Sequence, residues 1–146
     1  MLDLALSTHD DVIARLYGYW QEKRGDRRFP ARRDLDPLEF GYALGWVMLV
    51  DVTHDPLRFR IRLYGSDLVA FTGSDMTGVY IDEHPLPEFQ SHAEAEWREV
   101  VERGEATHGV VQRVFDGRTF RAETLRLPLS ADGATIDMLL IAVRPR

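Results

Sequence analysis

A strand that is forced to stop constrains this chain more than any other feature. Residues 58–78 read RFRIRLYGSDLVAFTGSDMTG. Phe59, Ile61 and Leu63 alternate with Arg58, Arg60 and Arg62, the period of a strand with one apolar face. Gly65 ends the alternation. Ser66 can cap the short apolar turn of Leu68, Val69, Ala70 and Phe71. Gly73 suits the end of that helix, and Gly78 permits a second bend. A strand that exits so abruptly must find its sheet neighbours elsewhere. The residues before it lead into this strand, and those after it supply one long helix and three more strands.

The chain of 146 residues suits one domain, residues 1–146, with a helix over 8–24 and a core over 46–144. A hydrophobic share of 45% is enough for a buried core. The formal charge of -6 argues against general binding to nucleic acid or to an anionic membrane. Cysteine is absent, which removes disulfides, thiolate nucleophiles, cysteine-ligated zinc and any chromophore held through sulfur. The start, MLDLALSTHDD, has no basic region and too short an apolar run for a signal peptide. No stretch reaches transmembrane length. These features predict a soluble, cytoplasmic protein.

The first helix is predicted over residues 8–24, with Thr8 as its cap and Gly25 as its stop. Val12, Ile13, Leu16, Tyr17, Tyr19 and Trp20 form its apolar stripe. That stripe can cover this chain's own sheet or a second copy, so Leu16, Tyr17 and Trp20 are candidate interface residues. The loop GDRRFPARRDLD over 25–36 is basic but lacks interleaved aromatics, and reads as a solvated connector. Pro37 starts a short helical turn through Phe40. Strands follow over 46–52 and 58–64. Three arginines on one strand face need water or cross-strand acids. Pro87 opens the longest helix, to about Arg103, with Gly104 as its stop. Phe89, Ala93, Trp97, Val100 and Val101 line one side of it. Gln90 lies within that arc, Glu96 at its edge, and His92 beyond Glu96. Asp116-Gly117 joins two strands, over 107–115 and 118–129, as a two-residue hairpin. Its register pairs Val114 with Thr119, Gln112 with Arg121 and Val110 with Glu123. Arg121 and Glu123 then share a face that could meet the arginines of the second strand. Residues 136–143 form a hydrophobic last strand suited to the sheet centre.

No phosphate loop, dinucleotide fingerprint or metal-ligand spacing occurs, so no catalytic and no metal site is predicted. Ser66, Ser74 and Ser91 lack the setting of a nucleophile. His84 beside Asp82 and Glu83, and His92 facing Glu96, are acid–base pairs on paper, and either histidine could be an axial haem ligand. Such neighbours are common on surfaces, and the sequence is read as that of a non-enzyme.

The order of elements, with LYGYWQEKRGDRRFPARRDLDP at 16–37, FRIRLYGSDL at 59–68 and FTGSDMTGVY at 71–80, resembles the PAS fold. More narrowly it resembles a family of small stand-alone PAS-like domains of proteobacteria. The resembling positions are Trp20 before the Arg-Gly loop, Arg62, Leu63 and Gly65, and the turn of Gly73, Asp75, Thr77 and Gly78. The resemblance implies an α+β fold: a five-stranded antiparallel sheet carrying short helices and one long helix on one face, plus an N-terminal helix. It also implies a bacterial sensory or signal-transduction domain that binds a small ligand or a protein partner, often as a dimer. With no output domain in the chain, a signal would pass to a partner protein. Flavin-adduct chemistry is removed by the lack of cysteine. The cofactor is unknown, and a non-covalent flavin or haem has no specific support. The candidate ligand residues are Arg60, Arg62, Tyr64, Gln90, His92 and Arg121, with paired arginines favouring a carboxylate or phosphate. Two rival readings are a ligand-free dimerisation module and a small enzyme of the cone-shaped NTF2-like kind. A filled core would mark the first, and a deep pocket with a paired acid and histidine the second.

Overall fold

A computed structural model describes residues 7–115 and 117–146. One open antiparallel sheet is built from β1 (Val47–Thr53), β2 (Arg58–Tyr64), β3 (Thr107–Phe115), β4 (Arg118–Leu129) and β5 (Met138–Pro145). Their order across the sheet is β2-β1-β5-β4-β3. The hydrophobic last strand is therefore central, as its composition predicts. Val114 faces Thr119, Gln112 faces Arg121 and Val110 faces Glu123, which is the register expected from the hairpin. Asp116 itself lies outside the described residues, and Gly117 takes a positive φ of 74°.

The helices divide between the two faces. α3 (Ser66–Thr72) and α4 (Pro87–Arg103) cover one face. There Leu68, Ala93, Trp97 and Val100 pack with Val50, Phe59, Ile61, Leu139 and Ile141. The other face is covered by α1 (Asp11–Arg24), with a short α2 (Gly41–Leu44) beside it. Ile13, Leu16, Tyr17 and Trp20 are buried against Leu125, Leu127, Leu129 and Leu140. The Trp20 indole also donates to the Pro128 carbonyl at 3.0 Å. Each large apolar side chain so covered contributes about 1.5–3 kcal/mol. The apolar stripe of α1 is thus spent on the chain's own sheet. Among the described residues, no helix is long and apolar enough to cross a membrane.

The turn of Gly73, Asp75, Thr77 and Gly78 has a clear structural use. The Asp75 carboxylate accepts from the Thr77 N–H at 3.0 Å and from its hydroxyl at 2.7 Å. The bend lays Gly78 and Val79 along the outer edge of β2. Gly78 N–H donates to the Ile61 carbonyl at 2.6 Å, and Ile61 N–H to the Val79 carbonyl at 2.9 Å. An edge that would otherwise offer unpaired backbone to another chain is partly covered.

The start of α1 differs from expectation. Its cap is Asp10, whose carboxylate accepts from the Ile13 N–H at 3.0 Å, rather than Thr8. Thr8 instead donates its hydroxyl to the buried carboxylate of Glu123. Glu123 also meets His108 Nε2 at 2.6 Å and Arg146 Nε at 3.8 Å. Burial pushes its pKa up, but the bonds from Thr8 and His108 and the charge of Arg146 outweigh this and hold it below the usual range. A carboxyl lowered in the folded state binds fewer protons than in the unfolded chain. Its contribution is therefore complete above the ordinary glutamate pKa, and is lost as pH falls through the lowered folded value. Urea unfolding at a series of pH values should show a wild-type slope below about pH 4.5 that is shallower in Glu123→Gln. Parallel slopes for the two proteins would show that Glu123 does not anchor this end of the helix.

Candidate functional site

Between the sheet and the α3–α4 layer lies a cavity of about 90 Å³. Its wall is mostly apolar: Met48, Leu68, Phe71, Met76, Phe89, Ala93, Trp97, Val111, Phe120, Ala122, Ile141 and Val143. Phe71 and Phe120 meet edge to face with ring centres 4.9 Å apart. Tyr64 and Thr72 supply one polar point, their hydroxyl oxygens 3.0 Å apart.

The other polar group is charged. Arg113 of β3, Arg126 of β4 and Glu96 of α4 all line the cavity. Arg113 donates to one oxygen of the Glu96 carboxylate, and Arg126 lies 3.3 Å from the other. Strand pairing dictates this meeting. Arg113 stands opposite Phe120 and Thr107 opposite Arg126, and Arg113, Phe120 and Arg126 line the cavity on the face covered by α3 and α4. The Arg126 side chain is 8% exposed, and its guanidinium donates to Thr107 Oγ1 at 3.1 Å and to Thr124 Oγ1 at 2.7 Å. Arg113 is steadied by a bond to the Gln112 carbonyl at 2.9 Å. Burial pushes the pKa of Arg126 down to about 10. Arg113 is lowered as well, by burial first and then by the charge of Arg126. The two cations repel each other across a site where one carboxylate serves both.

Of the proposed ligand residues, Tyr64 lines this cavity. Arg60 is half-buried beside the Tyr80 ring, with 5.9 Å between the guanidinium carbon and the ring centre. Arg62 donates to Asp51 at 2.8 Å and is exposed. Arg58 holds Asp82 and Glu83 at 2.7 and 2.9 Å. Gln90 donates to the Asp82 carbonyl at 3.0 Å, and His92 is exposed on α4. Arg121 is exposed on the face away from the cavity. It cannot meet the arginines of β2, because β5 and β1 lie between. The six residues are therefore not brought together. A register irregularity between Leu49 and Val50 leaves Phe59, Ile61 and Tyr64 as the buried side chains of β2.

The paper acid–base pairs do not form either. Asp82 and Glu83 are held by Arg58, and His84 Nδ1 accepts from the Leu86 N–H at 3.1 Å. Burial lowers the His84 pKa. Glu96 turns to the arginines, and neither His84 nor His92 lines the cavity. Among the described residues, no cluster of three histidine or acidic side chains could hold a metal. The Arg113–Glu96–Arg126 cluster has only a partial signal in the sequence. Leu125, Leu127 and Leu129 alternate with Arg126 and Pro128, which reads as a strand with one polar face, and the burial of that face shows only in the structure.

The family model described as "PAS domain" matches residues 9–142. The chain belongs to the PAS domain family. PAS domains of known structure share its fold. A PAS domain from Colwellia psychrerythraea superimposes with a TM-score of 0.56 at 16% identity, covering 76% of this chain and 98% of that one. A light-oxygen-voltage domain studied with a flavin analogue gives 0.57 at 21%, covering 75% and 82%. The dark structure of the blue-light photoreceptor Aureochrome1 LOV gives 0.56 at 16%, covering 77% and 83%. No curated protein sequence matches the chain. Family membership places this chain among domains of the sensory or regulatory kind and displaces the NTF2-like alternative. The cavity does not fit a flavin or a haem. Its 90 Å³ is well below the roughly 300 Å³ at which drug-sized ligand pockets begin.

Proposed function

We propose that this PAS domain is a non-catalytic sensory or regulatory module that holds a small molecule in the cavity between its sheet and α4. The observation that carries this reading is a largely apolar cavity with a charged cluster at one place in its wall. Apolar walls supply affinity, and a few placed polar groups supply orientation, which is the usual construction of a small-molecule site. The buried arginines support it further. A core serving stability alone gains little from two guanidinium groups on one carboxylate.

Ala93 faces the cavity from α4 and is buried. Ala93→Leu should fill the cavity while leaving the sheet and α1 in place. In a ligand-observed NMR screen of small fragments, wild type is expected to bind a subset that compete with one another, and Ala93→Leu to lose them. Fragments that bind both proteins equally, or no binding fragments at all, would overturn the reading.

A further inference from the structure

The charge balance of the cavity names a ligand class. Two guanidinium groups, Arg113 and Arg126, share the single carboxylate of Glu96 within an apolar wall. Glu88 and Glu99 also act on these arginines, but both are exposed on α4 and Glu99 already holds Arg103 at 2.9 Å. One positive charge in the wall is therefore left without a dedicated carboxylate. The forks are also fixed in advance. Thr107 and Thr124 hold Arg126, and the Gln112 carbonyl holds Arg113, so little orientation is lost when an anion arrives. A planar carboxylate matches such donors. Trp97 and Phe120 continue the wall beside them and suit hydrocarbon. The volume sets the size, since a cavity of about 150 Å³ admits benzene and this one is smaller.

We propose that the cavity takes a short-chain monocarboxylate, its carboxylate on Arg113 and Arg126 and its hydrocarbon tail against Trp97 and Phe120. This rests on the reading of the cavity as the ligand site. Glu96 is then the ligand's internal competitor, and weakening its hold on the arginines should strengthen binding.

The test uses the intact chain, with propionate, its neutral isostere propionamide, and inorganic phosphate as probes. Titrations are followed by backbone amide shifts. Propionate is expected to move the amides of β3 and β4 near Arg113 and Arg126, and to bind at least about tenfold tighter than propionamide, the gap set by one charge-assisted pair. Glu96→Gln should bind propionate several-fold more tightly than wild type. Propionamide binding as well as propionate overturns the carboxylate assignment but keeps the cavity reading. Phosphate binding more tightly than propionate overturns the apolar-tail requirement. If propionate does not bind while neutral fragments bind and are lost in Ala93→Leu, this inference alone fails. If no fragment binds either, both fail. Should Glu96→Gln not fold, the comparison of propionate with propionamide on wild type decides the matter.

Discussion

Glu96→Ala is expected to destabilise the protein by about 2–4 kcal/mol in urea unfolding, one of the largest losses available outside the apolar core. Removing this carboxylate leaves Arg113 and Arg126 facing each other in an apolar wall, with the contact that each makes to it gone. The value is set below that of a fully enclosed pair because the Glu96 side chain keeps 28% of its exposure. A second substitution separates charge from packing. Arg126→Met keeps most of the volume and removes the more deeply buried cation. In the Glu96→Ala background it should recover much of the loss, giving a coupling of at least about 1 kcal/mol in a double-mutant cycle. A loss under about 0.5 kcal/mol for Glu96→Ala, with no coupling, would mean that water already solvates the arginines and that the cluster is not a buried site.

Gly65→Ala should be as damaging, by about 3–4 kcal/mol, or roughly 10 °C in Tm, because two backbones cross where it stands. A Cβ there would lie 2.2 Å from the Gly45 carbonyl oxygen and 2.9 Å from that of Val47. The Gly45 carbonyl cannot retreat cheaply, since it accepts from the N–H groups of Asp67 and Leu68 at 3.0 and 3.1 Å. Gly65 donates its own N–H to the Val47 carbonyl at 2.9 Å, which fixes it from the other side. Its φ of -62° is ordinary, so the cost is steric rather than conformational. Gly45→Ala is the control. The new methyl would meet the exposed Asp67 side chain, which can rotate away, and the loss should stay below about 1.5 kcal/mol. Equal Tm values for Gly65→Ala and wild type in thermal unfolding would show that this crossing has room for a methyl group.

Much of the architecture was legible in residue order. The stop at Gly65, the Pro87 and Gly104 limits of α4 and the hairpin register are local signals, and each stands where the sequence put it. Boundaries set by tertiary contacts were less so. β5 begins at Met138 rather than at residue 136, and α1 begins at Asp11 because Thr8 is taken by Glu123. The candidate ligand residues of the sequence are scattered in the structure for a physical reason. The even alternation of β2 draws attention to Arg60 and Arg62, but alternation states which residues share a face and not which face is inward. The hairpin register held the needed information. If Gln112 and Arg121 share one face, then Arg113 and Phe120 share the other, and Thr107 and Arg126 with them. What register alone cannot supply is the third member, because Glu96 approaches from a helix far away in the chain. The stripe of Leu16, Tyr17 and Trp20 was open between two uses, and burial within the chain could be read only once the free face of the sheet was known.

β4 has a different region packed on each of its faces. Thr124 and Arg126 belong to the cavity, while Glu123, Leu125 and Leu127 hold the beginning and the body of α1. Successive residues of a strand stand about 3.3 Å apart along the chain, so the partition between the two sides is a single thickness of polypeptide. A push on the guanidinium of Arg126 and a pull on the carboxylate of Glu123 therefore act on the same short length of backbone. Amide hydrogen exchange along β4 would record an event in either region, with no contact between them needed.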